Sequence, residues 1–264
     1  MTICASLSHK ELKQKAHFLR KQVLEMCVKA ETGHVTSSFS CVEILVSLYY
    51  SVLGEWDRFL LSKGHASPLL YAILSDKGYF SEEELWKFCQ ADGIFGVHLQ
   101  HDVPGAEITA GSLGYGLGIG AGMALAKKLK NEPGTIYVLL GDGECYEGSI
   151  WESAMFISHN CLDVVAIVDR NGLSATDFTE KALRLEPLGK KWKTFGWNAI
   201  EVDGHHFEAL LPALGLTARP LVIIAKTVKG KGIPFMENQP LWHAVAPKGE
   251  EAERARRELD ENTA

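Results

Sequence analysis

Short apolar runs alternate with segments of helical periodicity along much of the chain. Four runs are rich in strand-forming residues and end at Gly, Asp or a charged position, as buried strands often do; they lie at 135–140, 163–168, 198–202 and 221–225. The segments between them are long enough for helices. This alternation predicts an α/β fold, a doubly wound parallel sheet flanked by helices, with ligand-binding loops at the carboxyl ends of the strands.

Helices are also predicted in the first half of the chain. Apolar residues near helical spacing predict a helix over 12–29, and a mostly apolar segment predicts another over 42–52. Ser81 followed by Glu84 is typical of a capping box and predicts a helix over 82–89. Closely spaced glycines then lead into the segment AGMALAKKLK, which is predicted as a helix with one face of small residues.

Composition and charge narrow the class of protein. A chain of 264 residues that is 46% hydrophobic can bury one large α/β core. Its net charge of −6 and the absence of a basic run argue against nucleic acid or an anionic membrane as the partner. The apolar runs are too short to span a membrane, and the N-terminal segment lacks the pattern of a secretory signal. The six cysteines include no CxxC pair, so we expect a reducing, cytoplasmic location.

The segment 141–171 carries the clearest chemistry. The first strand runs into a Gly-Asp-Gly turn, a helix is predicted over roughly 148–158, and the next strand ends at Asp-Arg-Asn. Because strands joined by a crossover helix are parallel neighbours, Asp142 and Asn171, 29 positions apart, are expected to face one site. Carboxylate and amide oxygens suit Mg²⁺, and Gly143 lets a diphosphate approach the backbone amides closely. The segment therefore predicts a magnesium–diphosphate site.

A second glycine pattern offers a different interpretation. Residues 116–121 fit the loose GxGxxA pattern of dinucleotide-binding proteins, and Asp142 ends a later strand as a ribose-binding acid would. No apolar strand leads directly into Gly116, however, which weakens the nicotinamide alternative. That alternative also leaves the Asp-Arg-Asn strand end and four loop histidines unexplained.

The GDG turn with its later asparagine resembles the thiamine diphosphate fingerprint of the transketolase family. From about residue 12 to 247 the chain shows further motifs of that family in the expected order: Gly-His at 33–34, SKGHA at 62–66, His98 followed by a glycine-rich loop, and Trp-His at 242–243. The chain departs from the family in two places. It has GHVTS where members usually have GHPGG, and WHA where they have WHG.

The resemblance implies the fold and the organisation of the chain. We expect a thiamine diphosphate-binding fold, with residues 1–247 as a single domain of the transketolase N-terminal type and 248–264 as a charged tail, either a solvated helix or a frayed end. Family transketolases are more than twice as long, and nothing here resembles their second domain. The resemblance therefore implies the N-terminal subunit of a split transketolase. A separate C-terminal subunit would supply the pyrimidine-binding and C-terminal domains, and the complex is expected to be a heterotetramer.

Roles for four histidines follow from the same resemblance. His65 and His243 would contact the cofactor diphosphate, and His243 would also reach the substrate. His34 and His98 would bind hydroxyls of the donor sugar and help to move protons. The other six histidines are expected to be structural.

Further residues match positions around the cofactor. Mg²⁺ would be held by Asp142, Asn171 and the main-chain carbonyl of Leu173, and Gly143 and Asn171 would also contact the cofactor. Glu147 and, more weakly, Glu152 would face the subunit interface and the partner glutamate that activates the aminopyrimidine. The turn that supports the cofactor ring would consist of Gly111, Ser112 and Leu113, with Ser112 in place of the usual proline.

The implied activity is transfer of a two-carbon ketol unit from a ketose or its phosphate to an aldose or its phosphate, with thiamine diphosphate and Mg²⁺. Two alternatives stay open. One is a non-catalytic or regulatory subunit, which the altered Val35-Thr36-Ser37 turn allows; the other is a related thiamine-dependent carboligase or decarboxylase. The intact metal ligands and histidines favour the transketolase. The identity of the sugars cannot be read from this chain.

Overall fold

The computed structural model describes residues 7–261 and contains a five-stranded parallel sheet. The strand order is β1-β2-β3-β5-β4, and every neighbouring pair is parallel. The predicted parallel α/β sheet flanked by helices is therefore confirmed. The strands are β1 (Arg58–Leu61), β2 (Ile136–Gly141), β3 (Val164–Arg170), β4 (Asn198–Asp203) and β5 (Leu221–Lys226).

Helices precede, separate and follow the strands. The longer ones form two groups: α1, α3, α4 and α10 pack on one another, whereas α6 packs on α7 and on β1 to β3. The helices are α1 (His9–Ala30), α2 (Val35–Phe39), α3 (Val42–Ser47), α4 (Ser67–Asp76), α5 (Glu82–Leu85), α6 (Gly116–Lys130), α7 (Gly148–His159), α8 (Thr179–Ala182), α9 (Leu188–Thr194), α10 (Phe207–Leu214) and α11 (Glu250–Glu261).

The helix predicted over 82–89 is shorter in the structure. The Ser81 side chain makes no capping hydrogen bond, and after one turn the chain tightens into i→i+3 bonds as far as Phe88. Cys89 then takes a positive φ of 55°, which ends the helical run. The reciprocal capping box forms instead at the start of α1, where Ser8 and Glu11 bond to each other's backbone amides.

The centre of the sheet is buried on both faces, as in other parallel sheets. All residues of β3 except its last are buried, and this includes Asp169, whose exposed fraction is 0%. Lys63, which follows β1, forms an ion pair with Asp169 and is 1% exposed. A complete ion pair thus lies inside the core, at the edge of the sheet where β1 and β3 end.

The charged C-terminal segment forms α11 and packs on α1. Its buried side chains are Ala252, Ala255 and Leu259, and Arg256 pairs with Glu25 of α1. The division of the chain at residue 247 stays a prediction. Within residues 7–261, no helix has both the length and the apolar character needed to cross a membrane.

Candidate functional site

A cavity of about 450 Å³ lies at the carboxyl ends of the strands. It collects residues from positions far apart in the chain, because β1, β2, β3 and β5 all end at this edge. Most of the predicted site residues line it, namely His34, His65, His98, Gly111, Leu113, Asp142, Gly143, Asn171, Leu173 and His243. The predicted residues Ser112, Glu147 and Glu152 lie outside its wall.

Asp142 and Asn171 meet as the crossover geometry predicts. Gly141 is paired with Asp169 across β2 and β3, so the next residues of both strands leave the sheet at one point. Oδ1 of Asp142 accepts the Gly143 N–H at 2.8 Å. Oδ2 accepts the Gly172 N–H at 2.7 Å and the Arg170 guanidinium at 2.8 Å. Asn171 orients its own amide by accepting the N–H of Leu173 at 3.0 Å.

Arg170 links the carboxylate of Asp142 to the segment that follows β3. Its guanidinium also pairs with Glu180 and Glu186, at 3.1 and 3.0 Å. Burial raises the pKa of Asp142, and the hydrogen bond from Arg170 opposes that rise. Asp142 is therefore an ion-paired, nearly buried carboxylate, only 1% exposed.

The oxygens at this point fit a magnesium ion by their chemistry. One carboxylate, one amide oxygen and one main-chain carbonyl, from Asp142, Asn171 and Leu173, form a hard donor set that leaves positions for water and phosphate oxygens. Over the described range 7–261, no group of three or more His, Cys, Asp and Glu residues is arranged to hold a metal. The candidate set is of a different type, since it contains a single carboxylate.

Four imidazoles surround the same cavity. The ring of His34 lies 5.3 Å from that of His65, 5.6 Å from that of His98 and 5.2 Å from that of His243, between centroids. Burial, aided by neighbouring positive groups, lowers the pKa of His34 to about 4 and that of His243 to about 3. The pKa of His65 is also well below its usual value. These three rings are neutral at pH 7, so each can donate at one nitrogen and accept at the other.

His34 keeps a hydrogen-bonding atom free for a ligand. Its Nδ1 is buried and has no partner among the described residues. Such orphaned atoms are uncommon in folded proteins and often mark a position where a ligand or water binds. The ring of His34 lines the cavity, and its Nδ1 has hydrogen-bonding capacity that no described residue uses.

Lys229 belongs to this site, although no sequence motif singled it out. It lines the cavity, is 2% exposed, and places Nζ 2.7 Å from Nδ1 of His243. Burial lowers its pKa to about 8, with Lys63 adding to the effect. Lys63 lines the cavity as well. Lys63 stands in the SKGHA motif, but the burial of the two lysines is a tertiary property that the sequence does not reveal.

Glu144 is a second site residue that the sequence pattern did not indicate. Its buried carboxylate accepts hydrogen bonds from Ser62 Oγ after β1, from the Gly114 N–H at 2.8 Å and from the Gly141 N–H at 3.0 Å. Gly114 has a φ of +90°, and a Cβ there would lie 2.5 Å from Ser149 Oγ. Glu144 thereby fastens the glycine-rich loop with Gly111 and Leu113 to the ends of two strands.

The three predicted residues outside the cavity wall, Ser112, Glu147 and Glu152, are exposed. Glu147 is the N-cap residue of α7, and its side-chain carbons pack beside Gly114. Ser112 lies at the surface of the glycine-rich loop. Nearby on the same surface, Tyr115 and Ile119 are 63% and 41% exposed. Glu147 thus faces away from the cavity, and its role as an interface residue stays a prediction.

Comparison with known proteins gives consistent matches. The profile of the family described as "Transketolase, thiamine diphosphate binding domain" matches residues 12–263. One subunit of the apulose-4-phosphate transketolase of Phocaeicola vulgatus is 38% identical over 256 residues, covering 92% of this chain and 91% of that protein. The 6-deoxy-6-sulfo-D-fructose transketolase subunit SqwG of a Clostridium species is 38% identical over 248 residues, covering 88% of this chain and 90% of that protein.

Longer proteins match over only part of their length. Homo sapiens transketolase is 38% identical over 244 residues, which cover 88% of this chain but 39% of that protein. The crystal structure of transketolase from Campylobacter jejuni superposes with a TM-score of 0.89 at 29% identity, covering 96% of this chain and 43% of that one. The chain spans about two-fifths of the length of these longer matches.

Proposed function

Because the chain belongs to the transketolase family, whose thiamine diphosphate-binding domain it contains, we propose that it is the N-terminal subunit of a two-component transketolase. With a C-terminal partner subunit, it would transfer a two-carbon ketol unit from a ketose to an aldose. The observation that carries this proposal is the single cavity that unites Asp142, Asn171, four imidazoles and Lys229 at the strand ends. Relatives of similar length that are named as individual transketolase subunits support the two-component arrangement.

Cofactor binding would divide between two sets of groups. Asp142, Asn171 and the Leu173 carbonyl would hold Mg²⁺. Lys229, His65 and His243 would hold the diphosphate beside Gly143, so that it would lie among cationic and hydrogen-bonding groups. The bound cofactor would supply a carbon nucleophile and an electron sink for cleavage of the bond between C2 and C3 of the ketose.

Substrate binding would fall to the imidazoles nearest the centre of the cavity. His34 is neutral and lines the cavity, so it can hydrogen-bond a sugar hydroxyl and take up or release its proton. His98 lies beside it and would contact the same sugar. Gly111, Ser112 and Leu113 would support the cofactor ring, while Glu147 and Glu152 would face the partner subunit. We also propose a cytoplasmic location, since the five cysteines within residues 7–261 are all free thiols.

The test is reconstitution with the partner. We expect the tagged chain to copurify with a separate subunit, and the complex to catalyse ketol transfer only with thiamine diphosphate, Mg²⁺ and both chains present. Xylulose 5-phosphate, apulose 4-phosphate and 6-deoxy-6-sulfofructose form a suitable donor panel, since the relatives' names include the last two sugars. Turnover by this chain alone would contradict the two-component proposal. A stable complex that binds the cofactor but converts no ketose would favour the regulatory alternative.

Binding of thiamine diphosphate to this complex is expected to weaken as the pH rises above about 8. In the free protein the ammonium of Lys229 has a pKa of about 8, and an adjacent diphosphate would raise it. Above that pH binding must recover a proton, so affinity falls by up to about ten-fold per pH unit; below pH 7 this group contributes no pH dependence. Titrations of the cofactor between pH 7 and 9.5 measure the effect. Lys229→Met should bind more weakly at pH 7 and lose the slope, whereas a retained slope would assign the proton to another group.

A further inference from the structure

His205 occupies a defined position behind the candidate site. It follows β4, and its side chain is 12% exposed. Its Nδ1 lies 2.9 Å from Oε2 of Glu43, and its Nε2 accepts the main-chain N–H of Val228 at 2.8 Å. A main-chain N–H can only donate, so Nε2 must be unprotonated. The proton of the neutral ring is therefore on Nδ1, where it is donated to the carboxylate.

Glu43 is itself held in place. Arg20 donates two hydrogen bonds to its carboxylate, at 2.6 and 2.9 Å, and two more to the main-chain oxygens of Phe39 and Lys231. Burial opposes the charged form of Glu43, but Arg20 and His205 bring its pKa to about 2. The carboxylate stays ionised across the physiological range and fixes the tautomer of His205.

The bond from Val228 matters because of the residue that follows it. Lys229 extends from this segment into the cavity, where Nζ lies 2.7 Å from His243. Thr227 is held on one side by Asp169, and Gly230 is held on the other by the main-chain oxygen of Thr36 at 3.0 Å. Between these two anchors, His205 holds the Val228 N–H, and the Asn238 N–H donates to the main-chain oxygen of Lys229 at 2.9 Å.

We propose that His205 is a positioning residue for cofactor binding, acting through Val228 on Lys229. Glu43 and Arg20 orient the imidazole, the imidazole fixes the main chain, and the main chain directs the ammonium toward the diphosphate. Residues that orient a ligand-binding group in this way commonly affect affinity without touching the ligand. The proposal rests on the proposed role of Lys229 in the cofactor site.

The test compares two replacements of His205 in the complex with its partner subunit. His205→Leu removes the acceptor of the part-buried Val228 N–H and so releases this stretch of main chain; affinity for magnesium thiamine diphosphate should fall about ten-fold or more. His205→Gln places an amide oxygen near the position of Nε2 and should restore most of the affinity. His206→Leu, at an exposed neighbour whose side chain is 69% exposed, is the matched control and should bind as the unmodified protein does.

Hydrogen–deuterium exchange separates positioning from general destabilisation. Exchange in His205→Leu should rise at residues 227–230 under native conditions, while the amides of β2 and β3 stay protected. The proposal would be overturned if His205→Leu bound the cofactor with unchanged affinity. It would also be overturned if affinity were lost, exchange rose throughout the sheet and His205→Gln did not recover binding. Both readouts are independent of ketol transfer. A complex that binds cofactor in a His205-dependent way yet lacks transketolase activity would refute the proposed function alone.

Discussion

Replacing Asp142 with alanine is expected to abolish magnesium-dependent binding of thiamine diphosphate. Asp142 is the only carboxylate in the proposed metal set, and the ion it would hold has to neutralise diphosphate oxygens inside the cavity. Loss of orienting groups around a metal commonly costs 10- to 100-fold in affinity, so loss of the ligand itself should cost on the order of 100-fold or more. Equilibrium dialysis of the complex with cofactor and varied Mg²⁺ measures the change.

Two companion variants make this result specific. Asp142→Asn keeps the shape of the side chain and removes its charge, and Arg170 still has Glu180 and Glu186 as partners, so folding should be largely retained. Asp163→Asn removes a half-exposed carboxylate, paired with Arg219, at the opposite edge of the sheet and should bind cofactor normally. If the folded Asp142 variants still bind cofactor in a magnesium-dependent way, the assignment of the metal ligands is wrong.

Lys63→Met is expected to lower the free energy of unfolding strongly. Lys63 and Asp169 are almost completely buried, and removal of one partner leaves the other charge in the core, which costs about 3–5 kcal/mol. Asp169 keeps hydrogen bonds from Ser40 and Thr227, but these hydroxyls do not neutralise it. Urea unfolding of the purified subunit measures the change in the free energy of unfolding.

A double variant tests whether the unpaired charge of Asp169 causes the loss of stability. In the double variant Lys63→Met with Asp169→Asn the unpaired charge is gone, so part of the lost stability should return. Lys226 and Glu201 form an ion pair at the surface, where their side chains are 66% and 49% exposed. Lys226→Met breaks this pair and should lower the free energy of unfolding by less than about 1 kcal/mol. Equal losses in the single and double variants would show that packing at Lys63, rather than the buried charge, dominates.

The fold was predictable where its signals are local. β2, β3 and β5 are nearly continuous apolar runs and β4 alternates apolar with polar residues, and the structure has all four at the predicted places. β1 was missed because its four residues, Arg58–Leu61, are too few to show a period and only tertiary pairing with β2 defines them. Ser81 and Glu84 satisfied a capping pattern, yet the tight turns that follow prevented a full helix.

The candidate site was predictable for residues within short motifs at strand ends. Asp142, Asn171 and His65 stand in such motifs, whereas His34, His98 and His243 stand in motifs on loops away from strand ends; the fold brings all of them together. Lys229 and Glu144 were not predicted because their importance comes from burial and from partners far away in the chain. Lysines and glutamates are common at surfaces, so nothing local distinguishes a buried one. The tautomer of His205 likewise depends on Glu43, 162 positions away.

The guanidinium of Arg170 bears on how the chain folds before it binds cofactor and partner. It pairs with the buried carboxylate of Asp142 and also with the more exposed carboxylates of Glu180 and Glu186. Asp142 therefore has a counter-ion within its own chain, and its buried charge does not depend on a metal for a partner. We expect the chain to reach its fold before it binds cofactor and partner, so that folding and loading are separate steps.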